Sequence, residues 1–170
     1  MRIKYDQAKG WSSHFTLLIK AILASRGPVA EVGAGFFSTP LLHWMCKSLG
    51  RLLITYENER EFYKFAKNFQ DKGHKVKFIE NWDKMDFRSR WGVVFIDHHP
   101  PQRRGVDALN FQNVADYVVM HDTNPPDKYK WRKDLAKFKY QYDWTELMPW
   151  ASVVSNFHDV TKWDNNILNT

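Results

Sequence analysis

Apolar positions along the chain switch repeatedly between helical and strand spacing, and the switches predict the order of elements. Phe15, Leu18, Ile19, Ile22 and Leu23 mark a first helix, with Ser12 or Ser13 placed to cap it and Arg26-Gly27-Pro28 to stop it. Residues 29–32 form a short apolar strand. Leu41, Leu42, Met45 and Leu49 give one face of a second helix, for which Thr39 is the expected N-cap, Pro40 the first helical residue and Gly50 the left-handed cap. Residues 51–56 read as a second strand. Phe62, Phe65, Ala66 and Phe69 read as a third helix, with acids in its first turn and Lys72-Gly73 at its end. Residues 74–79 alternate as a half-exposed third strand. The unbroken apolar run 93–96 suits a central parallel strand buried on both faces. A weakly periodic helix over 106–114 leads to a fifth strand at 117–120. Pro125-Pro126-Asp127 opens a helix with Trp131, Leu135 and Phe138 on one face. Residues 140–147 and 151–157 are two more strands, joined at Pro149-Trp150.

This order predicts an α/β fold, a doubly wound and mostly parallel sheet with right-handed crossovers and an antiparallel C-terminal hairpin. The 170 residues make one domain, with 1–10 as a polar arm. A hydrophobic content of 44% separates the chain from disordered sequences. No apolar run approaches a membrane span, so no membrane partner is expected. The lone Cys46 excludes an internal disulfide and fits a reducing, cytoplasmic setting. The net charge of +6 allows an anionic partner without requiring one.

The chemistry concentrates where the strands end. Val29-Ala30-Glu31-Val32-Gly33-Ala34-Gly35-Phe36-Phe37-Ser38-Thr39 runs from strand through two glycines into a helix, a turn that brings bare backbone close to a nucleotide-like ligand. A dinucleotide fingerprint wants Gly or Ala where Ser38 stands and gives no role to Glu31, which argues against an NAD-type dehydrogenase. Glu31-x-Gly33-x-Gly35 resembles motif I of the class I S-adenosylmethionine (SAM) methyltransferases. That resemblance makes Glu31, Gly33, Ala34, Gly35, Phe36, Ser38 and Thr39 expected cofactor residues. It gives Glu57, with Asn58, the ribose, where a carboxylate could accept both hydroxyls; capping the third helix is its alternative role. Glu80, Asn81 and Trp82 fall where the family holds adenine.

The ends of strands four and five, Phe95-Ile96-Asp97-His98 and Met120-His121-Asp122-Thr123, are similar to those of small bacterial class I methyltransferases and of the catechol O-methyltransferase type. The likeness covers roughly residues 12 to 160. The catechol type implies Mg²⁺ on Asp97, Asp122 and Asn124, and hard oxygen ligands suit such an ion. Here Thr123 separates Asp122 from Asn124, and His99-Pro100-Pro101 stands where that type has its general-base lysine. The divalent metal is therefore possible but not favoured. His98 and His99 become the expected bases beside Asp97, with one ring facing the cleft; Asp97 and His98 also border the expected cofactor site. Trp11-Ser12-Ser13-His14 either lines the cleft or supplies a cap and a packed Trp, the second being expected.

Asp97-His98-His99-Pro100-Pro101 and Asn124-Pro125-Pro126-Asp127 only partly match the Pro-Pro motif of DNA-base amino methylases. The reading is a SAM-dependent methyltransferase acting on O or N of a small molecule. A nucleic-acid methyltransferase, or a non-catalytic nucleic-acid-binding module, is the alternative through the basic segment 128–139. Oligomerisation could complete the pocket.

Overall fold

The computed structural model describes residues 10–125 and 129–163. The expected arm thus lies outside the described residues except for Gly10, and so do Pro126, Asp127 and Lys128.

Seven strands form one sheet in the order β3-β2-β1-β4-β5-β7-β6. They are β1 (Val29–Val32), β2 (Leu53–Glu57), β3 (His74–Phe78), β4 (Trp91–Ile96), β5 (Ala115–His121), β6 (Tyr140–Trp144) and β7 (Ala151–Ser155). β1 to β5 pair in parallel, and β7 pairs antiparallel with both β5 and β6. The C-terminal pair is the expected hairpin with one difference. Its second strand inserts next to β5 and leaves β6 at the edge, so β7 alone runs against the rest. Apolar content explains the choice. β7 is buried along its whole length, whereas most of β6 is half-buried, as an edge strand should be.

The helices are α1 (Phe15–Ala24), α2 (Ser38–Ser48), α3 (Arg60–Lys67), α4 (Arg104–Phe111) and α5 (Arg132–Leu135). Leu17, Leu18 and Ile22 of α1 and Leu42 and Cys46 of α2 share one core with Val29, Val93, Phe95, Val119 and Val153. Ala108 and Phe111 of α4 and Leu135 of α5 cover the opposite face with Trp82, Val94, Val118 and Met120. A fully buried β4 follows from this double cover.

Several local expectations shift. α1 begins after His14 with no side-chain cap, because the Ser13 hydroxyl is used elsewhere. α2 starts at Ser38, so Thr39 is its second residue and not its cap, and Pro40 is the third. That position tolerates proline, since the first turn leaves its N–H groups unpaired within the helix. Gly50 has φ 64° just past α2, as expected of a left-handed cap. α3 stops at Lys67, short of Lys72-Gly73, and α5 is a single turn starting at Arg132.

Candidate active site

The carboxyl ends of β1, β2, β4 and β5 surround a cavity of about 430 Å³. Ala34, Gly35, Glu57, Glu59 and Phe62 border one end; Trp11, His14, Asp97, Arg104, His121 and Asp122 border the other. Parallel strands put all their carboxyl termini on one edge, so residues distant in sequence converge there.

The turn after β1 is fixed by contact with the β4 end. Gly33 has φ 95°, and a Cβ there would lie 2.6 Å from the backbone N and Cα of His98. Gly33 is thus the glycine the backbone requires. Gly35 lacks the positive φ, and a Cβ on it would meet only the Ser38 hydroxyl, at 2.8 Å.

Glu31 does not border the cavity. It is fully buried beneath the turn, where Ser38 Oγ donates to Oε1 (2.7 Å) and Thr39 Oγ1 to both oxygens (2.9 and 3.0 Å). Thr55 Oγ1 donates to Oε2 (2.7 Å). Thr39 Oγ1 in turn accepts the Gly35 N–H (3.0 Å). The acid therefore organises the turn from below, and Thr39 acts with it. Burial pushes the Glu31 carboxyl up to about 7 against these three hydroxyl donors.

Glu57 borders the cavity with its carboxylate already engaged. Oε2 accepts the Ala34 N–H (2.7 Å), and Oε1 accepts the N–H groups of Asn58 (2.6 Å) and Glu59 (2.7 Å). A carboxylate offers about four lone-pair sites, so one remains free. The two-hydroxyl grip expected of Glu57 is left with room for one bond, and Glu57 braces the turns after β1 and β2 without capping α3, which has no side-chain cap. Asn58 spans from here to the β4 end, its Nδ2 donating to His99 O (3.2 Å). Glu80 and Asn81 are exposed and lie off the cavity; Asn81 Oδ1 caps the short turn Trp82–Lys84 instead. Trp82 is buried, with its ring 4.3 Å from His98 and its Nε1 donating to His99 O (3.0 Å).

The two expected bases separate. His98 borders the cavity, but its ring is buried against Trp82, and its Nε2 lies 2.9 Å from Asp107 Oδ2 of α4. That ring packs beneath α4, with Asp107 as its neighbour. Burial pushes its pKa down, opposed by Asp107. His99 is the exposed member of the pair and faces the cavity at the Asn58 side.

A second set of polar groups assembles at the far end. His121 Nδ1 lies 3.2 Å from Asp97 Oδ2, and its Nε2 lies 2.9 Å from Ser13 Oγ. Arg104 Nη1 sits between Asp97 Oδ1 (2.7 Å) and Asp122 Oδ2 (3.1 Å). Burial opposes charge on Asp97, but His121 and Arg104 outweigh it and hold the carboxyl down at about 2. Burial likewise lowers His121, yet Asp97 and Asp122 raise it overall. His14 closes the group, its ring tilted against Phe95 (4.5 Å between centroids) and edge-on to His121 (4.8 Å), with no hydrogen-bond partner on either ring nitrogen. Burial, and then the charge of His121, push it down to about 3, so its imidazole is neutral at pH 7. Trp11 stacks with Phe36 (6.3 Å between centroids) over the entrance. The 11–14 segment therefore lines the cleft, contrary to the capping role expected of it. Its signal was visible only as an ambiguous cluster, because nothing local says that Ser13 reaches His121, 108 residues away.

The expected metal set is altered as well. Three potential ligands, Asp97, His121 and Asp122, come within 4.8 Å of one another, while Asn124 Nδ2 donates to Pro125 O. The Arg104 guanidinium already bridges the two acids. These residues do not fit a divalent cation unless Arg104 is displaced.

Solved structures share this arrangement of strands and helices. The O-methyltransferase from Bacillus cereus in complex with SAH matches at TM-score 0.59 and 13% identity, over 91% of this chain and 82% of its own. The methyltransferase domain of METTL16 matches at TM-score 0.59 and 10% identity, over 85% of this chain and 67% of its own. The chain has the class I SAM methyltransferase fold. The methyltransferase from Pyrococcus furiosus matches at TM-score 0.55 and 15% identity, over 84% of this chain and 83% of its own. No protein-family model and no curated protein sequence matches the chain. Within this methyltransferase fold, no helix among the described residues is long and apolar enough to cross a membrane.

Proposed function

We propose that the protein is a SAM-dependent methyltransferase that methylates O or N of a small molecule without a metal ion. One observation carries this reading. A single cavity joins the Gly33–Gly35 turn and Glu57 at one end to a neutral, unpartnered His14 at the other. Its volume of about 430 Å³ lies in the range of small-ligand pockets. Structural neighbours crystallised with SAH support the same cofactor class.

SAM, when bound, supplies a methyl group made electrophilic by its sulfonium. The residues of this chain supply the rest. The backbone of Ala34 and Gly35 borders the cofactor end, and the free lone pair of Glu57 accepts one ribose hydroxyl. At the other end the acceptor lies under Trp11, Phe36 and Phe37, and much of the rate enhancement comes from aligning its lone pair. His14 takes the acceptor proton. Its weak basicity is sufficient for an oxygen acceptor, because an oxygen that gains a methyl group becomes strongly acidic; an amine nitrogen gives its proton to solvent instead. The Asp97–His121 pair does not itself take this proton; burial, and then the charge of His121, keep His14 neutral against the pull of Asp97, and Ser13 holds the His121 ring in place.

The basic segment gives weaker support to a nucleic-acid acceptor, although one METTL16 structure contains an RNA hairpin. Arg132 is paired with Asp143 (2.5 Å) and Lys137 with Asp134 (3.0 Å), which neutralises part of the segment internally.

The test is calorimetry with SAM, SAH and NAD, followed by single-turnover methyl transfer to a panel of phenols, amines and short RNAs. Binding of SAM and SAH but not NAD is expected. NAD binding without either SAM species overturns the proposal.

A further inference from the structure

A second cavity, about 690 Å³, opens at the opposite edge of the sheet, between α2 and the amino ends of β2 and β3. Its rim carries the exposed residues Lys47, Gly50 and Lys72, and His43, Cys46 and His74 form its wall. A continuous line of buried polar groups runs from this wall to the acid beneath the cofactor turn. His43 Nδ1 lies 3.2 Å from His74 Nδ1, and His74 Nε2 lies 2.8 Å from Thr55 Oγ1. Thr55 Oγ1 donates to Glu31 Oε2 at 2.7 Å. All four residues are at least 94% buried on the same face of the sheet, and Glu31 and Thr55 are register partners on β1 and β2.

The chemistry of the donors fixes the direction of this line. While Glu31 is ionised it can only accept, so Thr55 gives it the hydroxyl proton and must accept from His74 Nε2–H. His74 Nδ1 is then an acceptor, which requires His43 to carry its proton on Nδ1 and to keep a bare Nε2. When Glu31 is protonated it can donate to Thr55, and each bond reverses. Thr55 donates to His74 Nε2, His74 Nδ1–H donates to His43 Nδ1, and His43 carries its proton on Nε2.

We propose that Glu31, Thr55, His74 and His43 form a proton relay through which the second cavity sets the charge on the acid beneath the Gly33–Gly35 turn. The step balances as a single proton. Solvent water in the second cavity gives H⁺ to His43 Nε2, His43 Nδ1–H passes to His74 Nδ1, His74 Nε2–H to Thr55 Oγ1, and the Thr55 hydroxyl proton to Glu31. Glu31 does not itself border the first cavity, where Ser38 stands between, and the line of histidines leads from it to the second cavity. A group donating a hydrogen bond to His43 Nε2 favours ionised Glu31; a group accepting one favours the protonated acid. By linkage, cofactor binding and the state of His43 influence each other.

The surroundings suit a relay that works near neutrality. Burial places the Glu31 carboxyl at about 7, and burial with its neighbour His43 keeps His74 down at about 4, so that ring is neutral and can pass a proton. Other titratable groups in electrostatic reach are Cys46 of α2 and Glu57 at the end of β2, which raises Glu31; Asp71 before β3 raises His74. Phe95, opposite Glu31 on β4, adds no charge.

The experiment is NMR of the full chain without cofactor, following the Glu31 side-chain ¹³C carboxyl shift and the His43 ring ¹⁵N shifts from pH 5 to 9. The expected result is one shared midpoint, with His43 moving its proton between Nδ1 and Nε2 as Glu31 titrates. Thr55→Ser should retain the shared midpoint, and Thr55→Val should uncouple the two. A His43 tautomer that stays constant while Glu31 titrates, or a Glu31 that does not titrate in this range, overturns the relay. The wild-type measurement decides even if Thr55→Val fails to fold. Calorimetry with SAH, as the probe of the first cavity, adds a separate arm. The relay predicts an SAH affinity that changes several-fold across the same midpoint, and loses that dependence in Thr55→Val. Affinity constant across it overturns the link to the cofactor turn. Absence of SAH binding at every pH would sink the proposed function while leaving the NMR result to judge the relay.

Discussion

Replacing Gly33 by alanine tests whether the cofactor turn is held by contact with the β4 end. Two costs are expected. A Cβ at φ 95° meets its own backbone unfavourably, at about 1–2 kcal/mol. It also lands 2.6 Å from the N and Cα of His98 and 2.8 Å from the carbonyl carbon of Asp97. These are backbone atoms just past the end of central β4, tied down by the bond from Asp97 N–H to Val32 O, so they do not rotate aside as a side chain would, and overpacking of this kind costs about 1–3 kcal/mol. The total is about 2–5 kcal/mol, a large part of the roughly 5–15 kcal/mol that stabilises a domain. Gly50 supplies the control. Its φ is 64°, but nothing lies within 4 Å of a Cβ there, so Gly50→Ala carries the conformational cost alone. Urea unfolding of the two variants beside the wild type measures the difference. With a slope of about 2 kcal/mol per M, Gly33→Ala should lower the midpoint by about 1–2.5 M and Gly50→Ala by about 1 M or less. Equal shifts would refute the close approach of the turn to His98.

Other outcomes follow from the charged end of the cavity. Arg104→Met should destabilise by about 3–5 kcal/mol, since it leaves two acids without their cation; calorimetric titration of that variant with Mn²⁺ should show binding that the wild type lacks, and methyl transfer by the wild type should survive chelator. Glu57→Gln should weaken SAH by about 1.5–3 kcal/mol in calorimetry, and unchanged affinity would leave Glu57 with its bonds to the Ala34, Asn58 and Glu59 N–H groups alone. His14 has a folded pKa far below its unfolded value, so the unfolded chain binds the extra proton first. Its contribution to stability is full above about pH 6.5 and lost as pH falls towards 3, and His14→Phe should flatten that limb of a thermal-melting pH profile. Asp97, held at about 2, keeps its contribution above about pH 4 and loses it below, in the window between its unfolded and folded values.

The local order of strands and helices was legible because it depends on periodicity. The all-apolar 93–96 run could only be a strand covered on both faces, and Gly50 needed only its own left-handed φ to end α2. The cavity's edge was legible for the same reason, since parallel strands bring their ends together whatever follows them. Partner choice across that edge was not. Sequence could not say that Glu31 would lie beneath the turn with Ser38, Thr39 and Thr55 and not in the cavity, because only the stacking of α2 over β1 and β2 brings those hydroxyls together. Nor could it separate His98 from His99. Adjacent side chains diverge, and the position of Asp107 on α4 decides which ring is buried. Arg104, which no local pattern singled out, is set by α4 between Asp97 and Asp122, and Ser13 looked like a cap until α1 packed against β5. Sequence determines which groups each strand end offers, because that depends on local spacing. Tertiary structure decides which of them meet, because those contacts join residues separated by most of the chain.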